Sequence, residues 1–145
     1  KSRIMSKDKK VLFICRGNWF RSQMAAAIYN KITNTQNADS VGACVGAPDE
    51  TEGRFLINLF PTEDFFEVME ENGMNVRDCK TKGLKENMLS EYDIVVSMAE
   101  EIDSPAYLNS NKNIIKCNIK NPNIVYRAIA QYTFNKIYKL VQELI

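Results

Sequence analysis

The chain has 145 residues, 45% of them hydrophobic and 26% charged, with a formal net charge of +1. This suits one globular domain around a single core and excludes a global field that would draw nucleic acid or a membrane surface. Histidine is absent, so Ser-His-Asp and Cys-His catalysis and any histidine-ligated metal are excluded.

In chain order, residues 1–9 read as a flexible basic tail on a domain that spans 1–145. Apolar runs bounded by turn residues predict strands over 10–15, 38–45, 92–98 and 114–119. "YDIVVSM" is the clearest, a continuous run suited to a strand buried on both faces. "RSQMAAAIYNKIT" predicts a helix with Met24, Ala27, Ile28 and Ile32 on one stripe. "PTEDFFEVMEENG" predicts a second, with Thr62 as N-cap and Glu63 and Asp64 in its first turn. A last helix over roughly 124–144 places Ile137, Leu140, Val141 and Leu144 together. The fold class expected from this order is α/β: a single domain with a four-stranded parallel sheet and helices on both faces.

Residues 49–71 hold eight acids against Arg54 alone, and residues 104–142 hold six bases and no acid. These read as solvated faces of opposite charge. Four widely spaced cysteines, Cys15, Cys44, Cys79 and Cys117, form no C-x-x-C pair, which argues against a zinc site or a disulfide scaffold. Cys44 and Cys117 fall on predicted strands and read as small core residues. With no signal-peptide pattern and no 18-residue apolar run, the expectation is a cytoplasmic chain with reduced thiols and no membrane partner.

The first strand stops at Cys15, and five residues later a helix begins with Arg21-Ser22. A turn that short can aim successive backbone N–H groups inward at a helix N-terminus, where they attract an anion. Gly17 and Asn18 are the residue types that most easily take the backbone angles such a curl needs. Arg21 supplies a planar fork for two oxygens of a tetrahedral oxyanion. The same field favours the thiolate of Cys15 and arms it as a nucleophile. Ser22 can donate a hydrogen bond to that sulfur. In a parallel α/β sheet Cys15 would face the crevice at the strands' carboxyl ends.

"CRGNWFRS" after "VLFI" resembles the signature loop of the low-molecular-weight protein-tyrosine phosphatase family, which also includes thioredoxin-coupled arsenate reductases. "DSVGACVGAP", "VMEENGMNV", "YDIVVSM" and "IKNPN" extend the resemblance over nearly the whole chain. It implies a Rossmann-like three-layer sandwich and a cofactor-free enzyme. Cys15 is then the nucleophile, Arg21 grips the phosphoryl oxygens, Ser22 stabilises the thiolate, and Asn18, oriented by Ser40, holds the loop. The loop residues Arg16, Gly17, Asn18, Trp19, Phe20 and Arg21 surround the phosphate.

Four departures matter. Asn121 stands before Pro122 where the family has an aspartic acid that protonates the leaving oxygen and later activates water. Phe20 replaces a cysteine that many members use to protect the nucleophile. Asn123 and Ile124 replace aromatics that line a phosphotyrosine slot, a wall Trp19 can supply instead. Arg16 adds charge at the mouth. "RSQMA" and "DIVVSMAEEIDSP" lean toward the arsenate reductases, yet their resolving cysteines are missing: Met98 and Ser104 hold the nearest positions, and Cys79 and Cys117 do not match the spacing.

The expected function is hydrolysis of a phosphotyrosine protein or aryl phosphate through a phosphocysteine, with phosphate or another oxyanion as ligand and turnover impaired by Asn121. The alternatives are a phosphate-binding protein without turnover and, behind it, an arsenate reductase. Asp49, Glu50 and Asp103 are the candidates for a substitute acid.

Overall fold

The computed structural model describes residues 8–46, 50–59 and 62–145, so most of the expected tail lies outside the described residues. β1 (Val11–Cys15) is buried along its whole length. Its side chains alternate, Val11 and Phe13 entering one apolar cluster and Leu12 and Ile14 the other, as a central strand requires. β2 (Ala38–Gly42) and β3 (Ile94–Ser97) flank it, and β4 (Ile115–Lys116) pairs with β3. The order is β2-β1-β3-β4 and every pairing is parallel, so Cys15, Gly42 and Ser97 end at one edge.

On one face pack α1 (Arg21–Thr33), α2 (Glu63–Glu71) and α4 (Arg127–Leu144), burying Met24, Ile28, Phe65, Met69, Ile137 and Val141 completely. The other face is covered more thinly, by Leu108 of the four-residue α3 (Ala106–Asn109) and by Met88 and Leu89 of a 3₁₀ turn at Glu86–Ser90. No helix among the described residues is long and apolar enough to cross a membrane.

The expected elements form, with local corrections. β2 stops at Gly42 because the amides of Ala43 and Cys44 turn onto the carbonyls of Cys15 and Arg16 (2.7 and 3.0 Å). β4 keeps two residues of the predicted six: beyond Cys117, whose amide meets Ser97, the chain leaves the ladder. Thr62 precedes α2 but does not cap it, since its hydroxyl donates to the carbonyls of Leu56 and Leu59. Ile32 lies at the exposed end of its stripe. Neither Cys44 nor Cys117 is a strand residue; each follows the end of one.

Candidate functional site

Between β1 and α1 the backbone curls through residues 16–20 in a run of bends. Among the described residues, the N–H groups of Gly17, Asn18, Trp19 and Phe20 donate to no acceptor, although all but Trp19 belong to buried residues. Buried backbone donors are normally paired, so four unspent ones in succession are costly unless an anion takes them. At the edge of this curl sits Cys15, 3% exposed, its Sγ 3.0 Å from Ser22 Oγ.

Asn18 carries the shape of the curl. It is the junction residue with positive φ, at 55°, a conformation asparagine tolerates better than most. Its Nδ2 donates to Ser22 Oγ (2.8 Å) and Ser40 Oγ (2.9 Å). Its Oδ1 accepts from the Lys82 amide (2.7 Å) and Gln23 Nε2 (3.2 Å). The whole capacity of the amide is spent, which fixes its orientation. Because Ser22 Oγ already accepts from Asn18, its proton is free to point at Cys15 Sγ.

Gly17 does not take the positive φ expected of it. Its value is close approach: a Cβ there would lie 3.1 Å from Trp19 Cδ1 and 3.4 Å from Glu50 Oε1. Phe20 turns its ring away from the loop, against Phe65 (centroids 5.2 Å apart) and Trp19 (5.6 Å), and is 3% exposed. Only its backbone belongs to the curl. Trp19 keeps one side open.

Arg21 is 1% exposed, so its charge must be answered from within. Nη1 donates to the carbonyls of Met98 (2.5 Å) and Ile119 (2.8 Å), and both terminal nitrogens lie 3.5 Å from Glu100 Oε1. Nε donates to nothing among the described residues, which leaves the Nε–Nη2 edge for an oxyanion.

Arg16 forms the lip. Nη1 meets Glu50 Oε2 at 2.6 Å and Nε lies 3.4 Å from Asp103 Oδ1. Burial works to lower its pKa, but the nearby Glu50, Cys44 and Asp103 outweigh it and the guanidinium is raised above its ordinary value. Thus two of the three candidate acids converge on one arginine; Asp49 lies outside the described residues. Cys44 joins them, donating from Sγ to the Asp103 carbonyl at 3.4 Å.

Asn121 is exposed and joins this network only through the backbone of Ile119, two residues earlier, which Arg21 holds. Burial pushes the thiols of Cys79 and Cys117 up, against a role as resolving thiolates.

Four contributors escape a reading of the sequence. Gly42 lets the curl pass: a Cβ would fall 2.8 Å from Arg16 O and 3.0 Å from Asn18 N. Gln23 ties Asn18 to the Lys80 carbonyl. The backbone of Lys82 pairs with Gly42 on one side and Asn18 on the other. Glu100 holds Arg21. The glycine closing a strand beside the loop was the only signal in the sequence; the others join residues 57 to 79 positions apart.

A family model described as low molecular weight phosphotyrosine protein phosphatase matches residues 10–144. No curated protein matches the sequence. Among solved structures, a low molecular weight protein tyrosine phosphatase from T. tengcongensis is 23% identical, with TM-score 0.66 over 94% of this chain and 97% of its own. The YwlE arginine phosphatase from Geobacillus stearothermophilus is 19% identical, TM-score 0.72, over 94% and 90%. An arsenate reductase from Archaeoglobus fulgidus is 25% identical, TM-score 0.70, over 93% and 98%.

Proposed function

The chain belongs to the low molecular weight phosphotyrosine protein phosphatase family, a family of cysteine-dependent phosphatases, and we propose that it hydrolyses aryl phosphate monoesters, phosphotyrosine among them, through a phosphocysteine at Cys15. The observation that carries this reading is the run of four unspent N–H groups beside a buried cysteine sulfur. The dianion would take those amides and the Nε–Nη2 edge of Arg21, which places phosphorus next to Sγ.

The thiolate attacks phosphorus, the S–P bond forms and the P–O bond to the aryl group breaks. Ser22 donates to sulfur, which makes it a better leaving group in the second step. There, water attacks the phosphocysteine, the S–P bond breaks, and inorganic phosphate leaves. Asn18, held by Ser40, Gln23 and Lys82, keeps the loop in shape. Asn121 can neither protonate the leaving oxide nor deprotonate the water, so turnover is slow and depends on a stable leaving group. A nucleophilic thiol calls for a reducing compartment, consistent with a cytoplasmic protein.

Asn121 also supports a second reading, phosphate binding without turnover. The test is release of p-nitrophenol from p-nitrophenyl phosphate, with phosphate protection of Cys15 from iodoacetate. Slow release abolished by Cys15→Ser supports hydrolysis. Protection without release supports binding alone, and the absence of both release and protection would remove the site.

A further inference from the structure

A groove of about 730 Å³ runs between the segment 118–124 and α4. Three of the eight large hydrophobic side chains exposed among the described residues gather here: Ile124 (62%), Tyr126 (53%) and Tyr132 (59%). Such a concentration on a folded surface marks an interaction site more often than chance packing. Apart from Glu100, its lining lies within the stretch 104–142, which carries six bases and no acid.

Neither of its lysines, Lys120 and Lys136, meets a carboxylate among the described residues. Lys136 Nζ lies 5.3 Å from the centroid of the Tyr132 ring. The single acid in the lining, Glu100, is engaged by Arg21. Glu100 and Ile119, two of the three residues that hold Arg21, also line the groove. Groove and phosphate site therefore share a wall.

We propose that this groove binds the segment flanking the phosphorylated residue of a protein substrate, and that the segment is acidic and apolar. Its aliphatic or aromatic side chains cover Ile124 and Tyr132, while its carboxylates answer Lys120 and Lys136. The proposal rests on the phosphatase reading for its direction, since the chain in the groove is the one whose phosphate reaches Arg21. Specificity then comes from outside the cradle, in place of the aromatic wall that Asn123 and Ile124 do not supply.

The experiment compares two phosphotyrosine peptides, one flanked by Glu and Leu and one by Lys and Gly, on the intact chain and on Lys136→Glu and Lys120→Glu/Lys136→Glu variants. The expected result is a KM for the acidic peptide that rises roughly tenfold on double reversal, with kcat little changed. The preference for it over the basic peptide should disappear, and p-nitrophenyl phosphate turnover should not change. Equal KM values for the two peptides, or a preference untouched by reversal, would overturn the groove. If no substrate turns over at all, the phosphatase reading falls by itself, and anisotropy of the labelled, unphosphorylated peptides still decides the groove. Binding of the acidic peptide that is lost on charge reversal keeps it. Capture of vesicles containing phosphatidylserine, with no peptide bound, would replace the peptide by a lipid surface and overturn the proposal.

Discussion

Arg21 stands between two segments that are held in opposite ways. On one side, residues 15–22 form a curl in which Cys15, Asn18, Arg21 and Ser22 are each 3% exposed or less. There a single asparagine makes four hydrogen bonds to β2, α1 and the strand-like segment at Lys82. On the other side, residues 118–124 contain five exposed residues, and no side chain among them makes a hydrogen bond to any described residue. One carbonyl, that of Ile119, ties the segment to the arginine. The first segment is preorganised, with its strain and unpaired donors kept in place by partners that have no alternative. The second is a surface strap whose chemistry can change without disturbing the fold.

This contrast predicts that substitutions around the curl lose stability and activity together, whereas those in the strap leave stability unchanged. The largest effect is expected at Gly42. A Cβ would sit 2.6 Å from Val45 Cγ2 and 2.8 Å from a backbone oxygen that cannot rotate away. Gly42→Val should cost about 1–3 kcal/mol of stability, as overpacking does. Displacing the loop should lower turnover roughly 10²-fold. Thermal unfolding and p-nitrophenyl phosphate kinetics on the same sample check both. Full activity with a lowered Tm would show that the curl is less dependent on β2 than its contacts imply.

Arg21→Lys comes next. An ammonium keeps the charge but cannot satisfy the carbonyls of Met98 and Ile119 while offering a second edge to phosphate. Phosphate affinity, read from protection of Cys15 against iodoacetate, should fall about 10- to 100-fold, the worth of one hydrogen bond to a charged group. Unchanged protection would mean that the amides bind the anion without the fork.

Asn121→Asp is the converse case in the strap. Its exposure predicts a stability change within about 0.5 kcal/mol. Turnover should rise, with roughly 10²-fold the lower end of what a positioned acid supplies for poor leaving groups. The gain should sit in kcat, and a pH limb should appear in which activity falls as the new carboxyl group loses its proton. A gain in kcat accompanied by a large loss of Tm would break the contrast between curl and strap.

The same contrast explains what could be read from the sequence. β1 and α1 begin and end where local signals place them, because a buried β-branched run and a Gly-Asn turn act over a few residues. The link from Asn18 to Ser40 was accessible through the family resemblance. Gln23 in its contact with Lys80, Glu100 and the Lys82 amide were not, since these roles come from partners 57 to 79 positions away that only the fold brings close. Residues 117–119 were overread as strand because Ile114, Ile115 and Ile119 look like one continuous ladder. A ladder needs a neighbour beyond Ser97, and β3 has already ended there.

The smallest effect is expected at the lip, where Glu50 could be supposed to replace the missing acid. Its position invites the idea: Oε1 lies 3.4 Å from where a Gly17 Cβ would be, directly against the curl. Its partner argues the other way. Glu50 Oε2 already accepts from Arg16 Nη1 at 2.6 Å. Arg16 is raised above its ordinary pKa once the neighbouring Glu50, Cys44 and Asp103 have outweighed burial, so the guanidinium stays charged at every pH at which the protein would be assayed. A leaving oxide needs a proton, and this pair has only the arginine's to give. Glu50→Gln should therefore change kcat for p-nitrophenyl phosphate by less than about fivefold, the upper end of what a partly exposed ion pair contributes. It should leave the dependence on leaving group as steep as before, because no acid has been removed. In the Asn121→Asp background the variant should keep the whole gain. If Glu50→Gln instead lowers turnover far more than that and removes a limb on which activity falls with rising pH, the lip carries the proton chemistry and Asn121 is a bystander.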